Sequence, residues 1–315
     1  MPSIKKNTNF KDYQLNNNKK LLKTRHRLTF WFGVVILCLF VITFVCSWIS
    51  DGHELKVAFS KLSQETRDKL ILANALPSVS GAMLQVRFTF TYISNILIGF
   101  ALIFYGLLPN YLWTKRGFFL ATVYINITFF TFWGLIIPFV FINPNIWYEI
   151  PWNWKVLTVP VHLINPVIGT TFFIINRREL VVSHKTMLLS SIFMLGYYLF
   201  AVLIFWIGVQ VTNLFLIEQF NKKTTGLDIF TKTKVAIYPF LNLKYPLGYH
   251  GNNLFYKILL NLFIPIFGII VCISVAYFLK FICKIQTYSK KDFENPAFLR
   301  ENKLLIKSIK SQIFK

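Results

Sequence analysis

The chain has 315 residues, of which 55% are hydrophobic and only 15% charged. Soluble folds usually spend about a quarter of their residues on charge, so this composition excludes a pair of water-soluble domains. The net charge of +22 does not indicate a nucleic-acid partner either. It gathers at the two ends, where Lys and Arg flank an apolar body and suit the anionic headgroups of an inner leaflet.

Residues 1–27 form a basic tail ending in Lys23, Arg25 and Arg27. The first apolar run, 28–49, is too long for the core of a cleaved leader and reads as a signal anchor. Five further runs, at roughly 88–108, 118–142, 156–175, 186–209 and 257–282, each approach the ~20 apolar residues needed to cross a ~30 Å hydrocarbon core. The predicted fold class is therefore all-α: a polytopic integral membrane protein of about six transmembrane helices within 28–282. A basic tail, 283–315, closes the chain.

Orientation follows from short loops. Lys115 and Arg116 lie between the second and third runs, and Arg177, Arg178 and Lys185 between the fourth and fifth. The connection at 143–155 carries only Glu149 and Lys155, and segment 51–87 nearly cancels, with five basic residues against four acidic ones. Positive loops stay inside, which predicts both termini in the cytoplasm of a plasma membrane. Segment 210–256 is mildly basic and fits this rule less well.

Several segments outside the runs have a reading of their own. Ser60–Leu76 suits a surface helix over the outer ends of the spans. Trp147, Tyr148, Trp152 and Trp154 suit an interfacial aromatic belt or a shallow re-entrant turn, with the belt preferred over a ligand site. After Pro296, Leu305, Ile309 and Ile313 recur at helical spacing among lysines, which predicts an amphipathic helix on the inner membrane surface or a partner-binding tail.

The motifs of cofactor chemistry are missing from the sequence. It holds no Gly-rich phosphate loop, HExxH or GxSxG, and Cys38, Cys46, Cys272 and Cys283 show neither metal-ligand nor disulfide spacing. No cofactor, metal or nucleic-acid partner is expected. The expected partners are membrane lipids, with anionic inner-leaflet headgroups at the tails, and the sequence leaves the oligomeric state open.

Polar groups within apolar runs carry most of the remaining information. Of the ionisable residues only His162 lies well inside a run, within Val-His-Leu-Ile-Asn-Pro, so Asn165 falls on the same helix face. Pro166 withdraws a backbone donor there. The second run opens Arg-Phe-Thr-Phe-Thr-Tyr-Ile-Ser-Asn from Arg87, placing Thr91 and Asn95 at helical spacing with Ser94 beside them. Counted from the outer ends of their helices, Thr91 is about 6 Å deep and His162 about 9 Å. Side chains at similar depth on different helices can meet, and a neutral His that accepts a hydroxyl proton creates a nucleophile. Helix-joining hydrogen bonds without chemistry are the competing explanation for the same residues. His26, His53, His184 and His250 fall in the tail or in loops and read as solvated.

Three pieces resemble a known family. Phe-Thr-Tyr-Ile-Ser-Asn-Ile-Leu (Phe90–Leu97), Val-His-Leu-Ile-Asn-Pro (Val161–Pro166) and Tyr-Pro-Phe-Leu (Tyr238–Leu241) with Gly248 are similar, in order and spacing, to motifs of the androgen-induced membrane proteins and their uncharacterised six-span bacterial relatives. The resemblance covers roughly 88–250. It implies a multi-span lipid hydrolase with Thr91 as nucleophile and His162 as base, Thr89 being a rival nucleophile if the register shifts by two. Ser94, Asn95, Asn165 and Tyr238 are candidate supporting residues; the sequence does not name the oxyanion donors, for which Asn95 and Asn165 are candidates. The function expected from sequence is a membrane-embedded Thr/His lipid esterase or acyltransferase; the alternative is a non-enzymatic permease or structural partner. The basic tails and the long segment before Tyr238 depart from the family pattern.

Overall fold

The computed structural model describes residues 8–73, 89–142, 148, 152–214 and 235–288. The expected tail helix after Pro296, together with Arg87 and Trp147, lies outside them.

The first helix, α1 (Thr8–Ser60), extends well beyond the apolar run that predicted it. Its flanking Lys, Leu, Gln and Arg are good helix formers and no proline interrupts them, so nothing local stops the helix where the apolar stretch ends. A short exposed helix, α2 (Gln64–Leu72), follows, capped by Ser63 whose hydroxyl accepts from the Thr66 N–H. It occupies the middle of the stretch expected to form a surface helix.

The other long helices are α3 (Phe90–Leu107), α4 (Leu112–Thr131, continued through a π-turn at Phe132–Ile136 into Ile137–Ile142) and α5 (Trp152–Val159, continued through a π-turn at Pro160–Ile164 into Asn165–Asn176). They are followed by α6 (His184–Leu214) and α7 (Leu254–Ile282). Among the described residues six helices are long and apolar enough to cross a membrane, the stretches being Leu21–Ser60, Phe90–Leu107, Leu112–Ile136, Lys155–Glu179, His184–Gln210 and Leu254–Ile282. Their outward faces carry large apolar side chains such as Leu199, Leu203, Leu262 and Ile266, all more than half exposed or close to it. A helix that is apolar on its outer face as well as its inner one has lipid for a solvent.

The antiparallel pair α1 and α3 packs backbone to backbone. A Cβ on Gly33 would stand 2.8 Å from the Gly99 carbonyl oxygen, and one on Gly106 would stand 2.7 Å from the Phe30 nitrogen and 2.8 Å from the His26 oxygen. Between lipid-solvated helices, where burial of apolar surface gives no advantage, such close approach supplies the association energy. Helix α4 is the hub: Phe118, Phe119, Val123 and Ile125 are fully buried within the main cluster, against Ile98 and Leu102 of α3 and Phe173 of α5.

One end of the bundle is tied by an unexpected clasp. Strand β1 (Val181–Ser183) pairs in parallel with β2 (Gln286–Tyr288), in the register Val182 to Thr287, and Arg116 donates to the Tyr288 hydroxyl. At the same end Glu179 accepts from Tyr105 at 3.0 Å, meets His26 Nε2 at 2.7 Å and pairs with Arg25. His26, expected in solvent, is only 13% exposed. The helical continuation of α1 past the apolar run is what carries it into the packed bundle.

Candidate functional site

The site forms at the opposite end of the bundle, where α3 starts and α5 is interrupted. Thr89 caps α3 with extended backbone angles and a hydroxyl that accepts from the Tyr92 N–H, so Thr91 falls in the first helical turn. The Thr91 backbone carbonyl is doubly held, accepting from Ser94 Oγ at 2.9 Å and from Asn95 Nδ2 at 2.8 Å. Ser94 also shares a hydrogen bond with Thr128 of α4 at 2.8 Å. These bonds fix the Thr91 backbone while leaving its own side chain half-buried.

The geometry of α5 follows from two prolines. Pro166 has no N–H, so the bond an α-helix would make to the His162 carbonyl is missing. The chain widens into the π-turn Pro160–Ile164, closed by the Asn165 N–H donating to the Pro160 carbonyl. Single π-turns inside helices recur at functional sites because they redirect side chains and free carbonyls. Side chains from other helices occupy those carbonyls here: Asn95 Nδ2 donates to Val161 at 3.0 Å and Trp133 Nε1 donates to His162 at 2.8 Å. Trp133 itself sits in the π-turn of α4.

Within this frame the Thr91 hydroxyl and His162 Nε2 lie 3.4 Å apart. The imidazole is stacked on Phe132, with ring centres 3.9 Å apart and planes inclined by 22°. Its other nitrogen, Nδ1, is 3.0 Å from the Thr158 carbonyl and 2.8 Å from the Thr158 hydroxyl. A carbonyl only accepts, so the bond to it requires the proton on Nδ1, which leaves Nε2 as an acceptor facing Thr91; the Thr158 hydroxyl can pair with either tautomer. That is the tautomer a general base requires. The distance of 3.4 Å is long, as catalytic pairs commonly are before substrate closes on them.

Tyr238, from the segment between α6 and α7, completes the group. It is within hydrogen-bonding reach of the Thr91 and Thr89 side chains and of Tyr197, whose hydroxyl also accepts from the Phe90 N–H at 3.1 Å. Burial pushes the Tyr238 hydroxyl above its ordinary pKa near 10, so it remains a proton donor beside Thr91.

All six residues singled out from sequence therefore converge, though in unequal parts. Thr91, His162 and Tyr238 lie side by side. Ser94, Asn95 and Asn165 are fully buried, and the two amides bond internally: Asn95 to two carbonyls, Asn165 Nδ2 to Asn95 Oδ1 at 2.8 Å. Asn95 has both amide hydrogens engaged, whereas Asn165 has one engaged and one left over; the Tyr238 hydroxyl is the polar group nearest the Thr91 side chain besides His162. Thr89 spends its hydroxyl on the helix cap. Thr158, Phe132 and Trp133 went unmarked in the sequence reading. Thr158 alone had a visible signal, four residues before His162 and hence on its face.

Among the described residues no three His, Cys, Asp or Glu side chains converge as metal ligands. No protein-family model, curated protein or solved structure matches the chain.

Proposed function

We propose that the protein is a membrane-embedded lipid esterase or acyltransferase in which Thr91 is the nucleophile and His162 the general base. The observation that carries this reading is the row of contacts from the Thr158 carbonyl through Nδ1 and Nε2 of His162 to the Thr91 hydroxyl, the last being 3.4 Å. A nucleophile, a base in the correct tautomer and a fixed orienter are the three parts covalent acyl transfer needs.

The steps balance with these groups alone. Thr91 Oγ1 attacks the ester carbonyl while Nε2 takes its proton, and Tyr238 donates to the developing oxyanion. The tetrahedral species expels the lipid alcohol, which receives the proton from His162, and an acyl-threonine remains. Water or a second lipid alcohol then attacks the acyl-threonine carbonyl with His162 again as base, the bond to Thr91 Oγ1 breaks, and His162 returns the proton to that oxygen as the acid or new ester leaves. The orienter is a carbonyl rather than a carboxylate, so the imidazolium formed in each step lacks a full counter-charge. A modest turnover follows from that.

The positive loops put Thr91 and His162 toward the outer face of the plasma membrane, with both termini cytoplasmic. An acyl ester reaches them sideways from the outer leaflet. The resemblance to the androgen-induced membrane proteins points to the same pair and the same substrate class.

The deciding experiment compares wild type, Thr91→Ala and His162→Ala, purified in detergent and incubated with mixed lipid esters and an active-site-directed hydrolase probe. Acyl release and probe labelling lost in both folded variants support the reading. Wild-type turnover in either variant removes that residue from the mechanism, and an inert wild type transfers the case to a permease or structural protein.

A further inference from the structure

A second feature lies at the other end of the bundle and is independent of the Thr91 chemistry. Between α3, α4 and α6 runs an open groove of about 530 Å³, walled by Phe100, Phe104, Trp113, Gly117, Ile192 and Phe193 among others. Its volume is in the range of small-molecule sites. Apart from the Trp113 indole at its outer wall, the polar side chains along it are already engaged. The Thr114 hydroxyl donates to the carbonyls of Leu108 and Tyr111, each at 2.7 Å, and the Tyr124 hydroxyl donates to the Ser190 carbonyl at 3.1 Å. A sugar, nucleotide or amino acid would lose its hydration here without replacement. Only hydrocarbon fits.

The dimensions and the charge say which hydrocarbon. Along α4 the groove extends from Trp113 to Tyr124, about 16 Å at 1.5 Å per residue, close to the ~15 Å of one leaflet's hydrocarbon. Its outer wall carries half-exposed Trp113, a residue type that favours the membrane–water boundary. Lys185 is exposed in the first turn of α6, one turn before the groove residue Leu189 and so on the same face. Glu179, a carboxylate at this end, is already taken up by Arg25, His26 and Tyr105, so it does not neutralise Lys185.

We infer that this groove holds an acyl chain of an acidic phospholipid, with the lipid phosphate at Lys185, as a bound lipid distinct from any substrate of the Thr91 site. The lipid belongs to the leaflet on the side of Lys115 and Arg116.

The test uses the full chain in detergent, exchanged with phosphatidylglycerol or phosphatidylcholine and read by native mass spectrometry after repeated dilution. A Cβ at Gly117 would meet nothing within 4 Å, so Gly117→Leu fills the groove without displacing backbone. Gly52, equally open but on α1, supplies the control Gly52→Leu. Wild type and Gly52→Leu retain phosphatidylglycerol, whereas Gly117→Leu loses about tenfold in retention, the effect of excluding roughly two methylenes. Lys185→Gln loses about fivefold of the preference over phosphatidylcholine. Leu189→Trp, which narrows the opposite wall, repeats the Gly117→Leu result if that variant folds poorly. Undiminished retention in both groove variants, equal retention of the two lipids by wild type, or a lipid-free wild type whose groove another part of the chain covers, each overturns the inference. None of these outcomes touches the reactivity of Thr91.

Discussion

Trp133 supplies to His162 the hydrogen bond that Pro166 withholds. The indole N–H donates at 2.8 Å to the His162 carbonyl, the acceptor that an unbroken α-helix would have given to residue 166. The interruption of one span is thus repaired from the π-turn of another, and the repair fixes the residue that bears the imidazole. Trp133→Phe keeps the aromatic bulk and deletes the donor. It should cost about 1–3 kcal/mol of stability through the unpaired carbonyl, measured as a lower melting temperature in detergent. It should also lower kcat more than it raises KM. Unchanged melting and unchanged kcat would show that the carbonyl finds another donor.

The tautomer of His162 makes a sharper demand. If the Thr158 carbonyl orients Nδ1–H, the Thr158 hydroxyl is dispensable. Thr158→Val preserves shape and carbonyl, and turnover should stay within about fivefold of wild type, since a neutral hydrogen bond contributes about 1 kcal/mol. A collapse comparable to His162→Ala would mean that the hydroxyl donates to Nδ1 and that Nε2 carries the proton, which would disqualify His162 as the base.

Tyr238→Phe tests the oxyanion donor. Loss of one such donor typically lowers kcat by about 10²–10³-fold, with little effect on KM. The same variant has a pH signature. Burial raises the Tyr238 pKa in the folded protein above its ordinary value near 10, so above that pH the unfolded chain releases the proton while the folded one retains it. Stability from this group is therefore complete below pH 10 and falls as pH rises toward the folded value. Melting temperature followed from pH 8 to 11 should decline less steeply in Tyr238→Phe than in wild type. Identical slopes would place Tyr238 in water.

The membrane architecture was legible because lipid imposes an unforgiving rule: each crossing needs its own apolar run, and six are visible. The levelling of Thr91 with His162 was legible too, since the helical rise converts residue counts into depth. The valence of the buried amides was not. Asn95 looks like a free donor in the sequence, yet the carbonyls of Thr91 and Val161 consume both its hydrogens, and one of the two on Asn165 goes to the Asn95 oxygen. Pro166 hinted at an opening in α5, and Pro138 stands in the same place after the π-turn of α4, where it withholds a donor from the Gly134 carbonyl; that second proline was an equally visible signal. The His26–Glu179 contact spans 153 residues, and a basic tail gives no sign that it re-enters the bundle.

That contact is itself testable. Glu179 receives Arg25, His26 and Tyr105, so Glu179→Ala strands a guanidinium and a buried phenol together. With about a quarter of the Arg25 and Glu179 side chains still exposed, water softens the loss, and about 1–2 kcal/mol is expected. Removing both partners in Arg25→Met/Glu179→Met should recover part of it. A double variant no better than Glu179→Ala alone would show that the three groups do not act as a unit.

Two glycines on neighbouring helices should respond in opposite ways to the same substitution. Gly117 faces open space, whereas a Cβ at Gly106 would stand 2.7 Å from the Phe30 backbone nitrogen. Backbone cannot yield as a flexible side chain would, so Gly106→Leu must push α1 away from α3. Overpacking usually costs about 1–3 kcal/mol, and here it also breaks the neighbouring Gly33–Gly99 approach, so the upper end is expected. Because α3 carries Thr91 and α1 touches its first turn, Ser47 facing the Tyr92 hydroxyl at 3.5 Å, activity should fall along with melting temperature. Gly117→Leu should leave both unchanged. If Gly106→Leu melts like wild type, the close packing of α1 on α3 does not hold the bundle together.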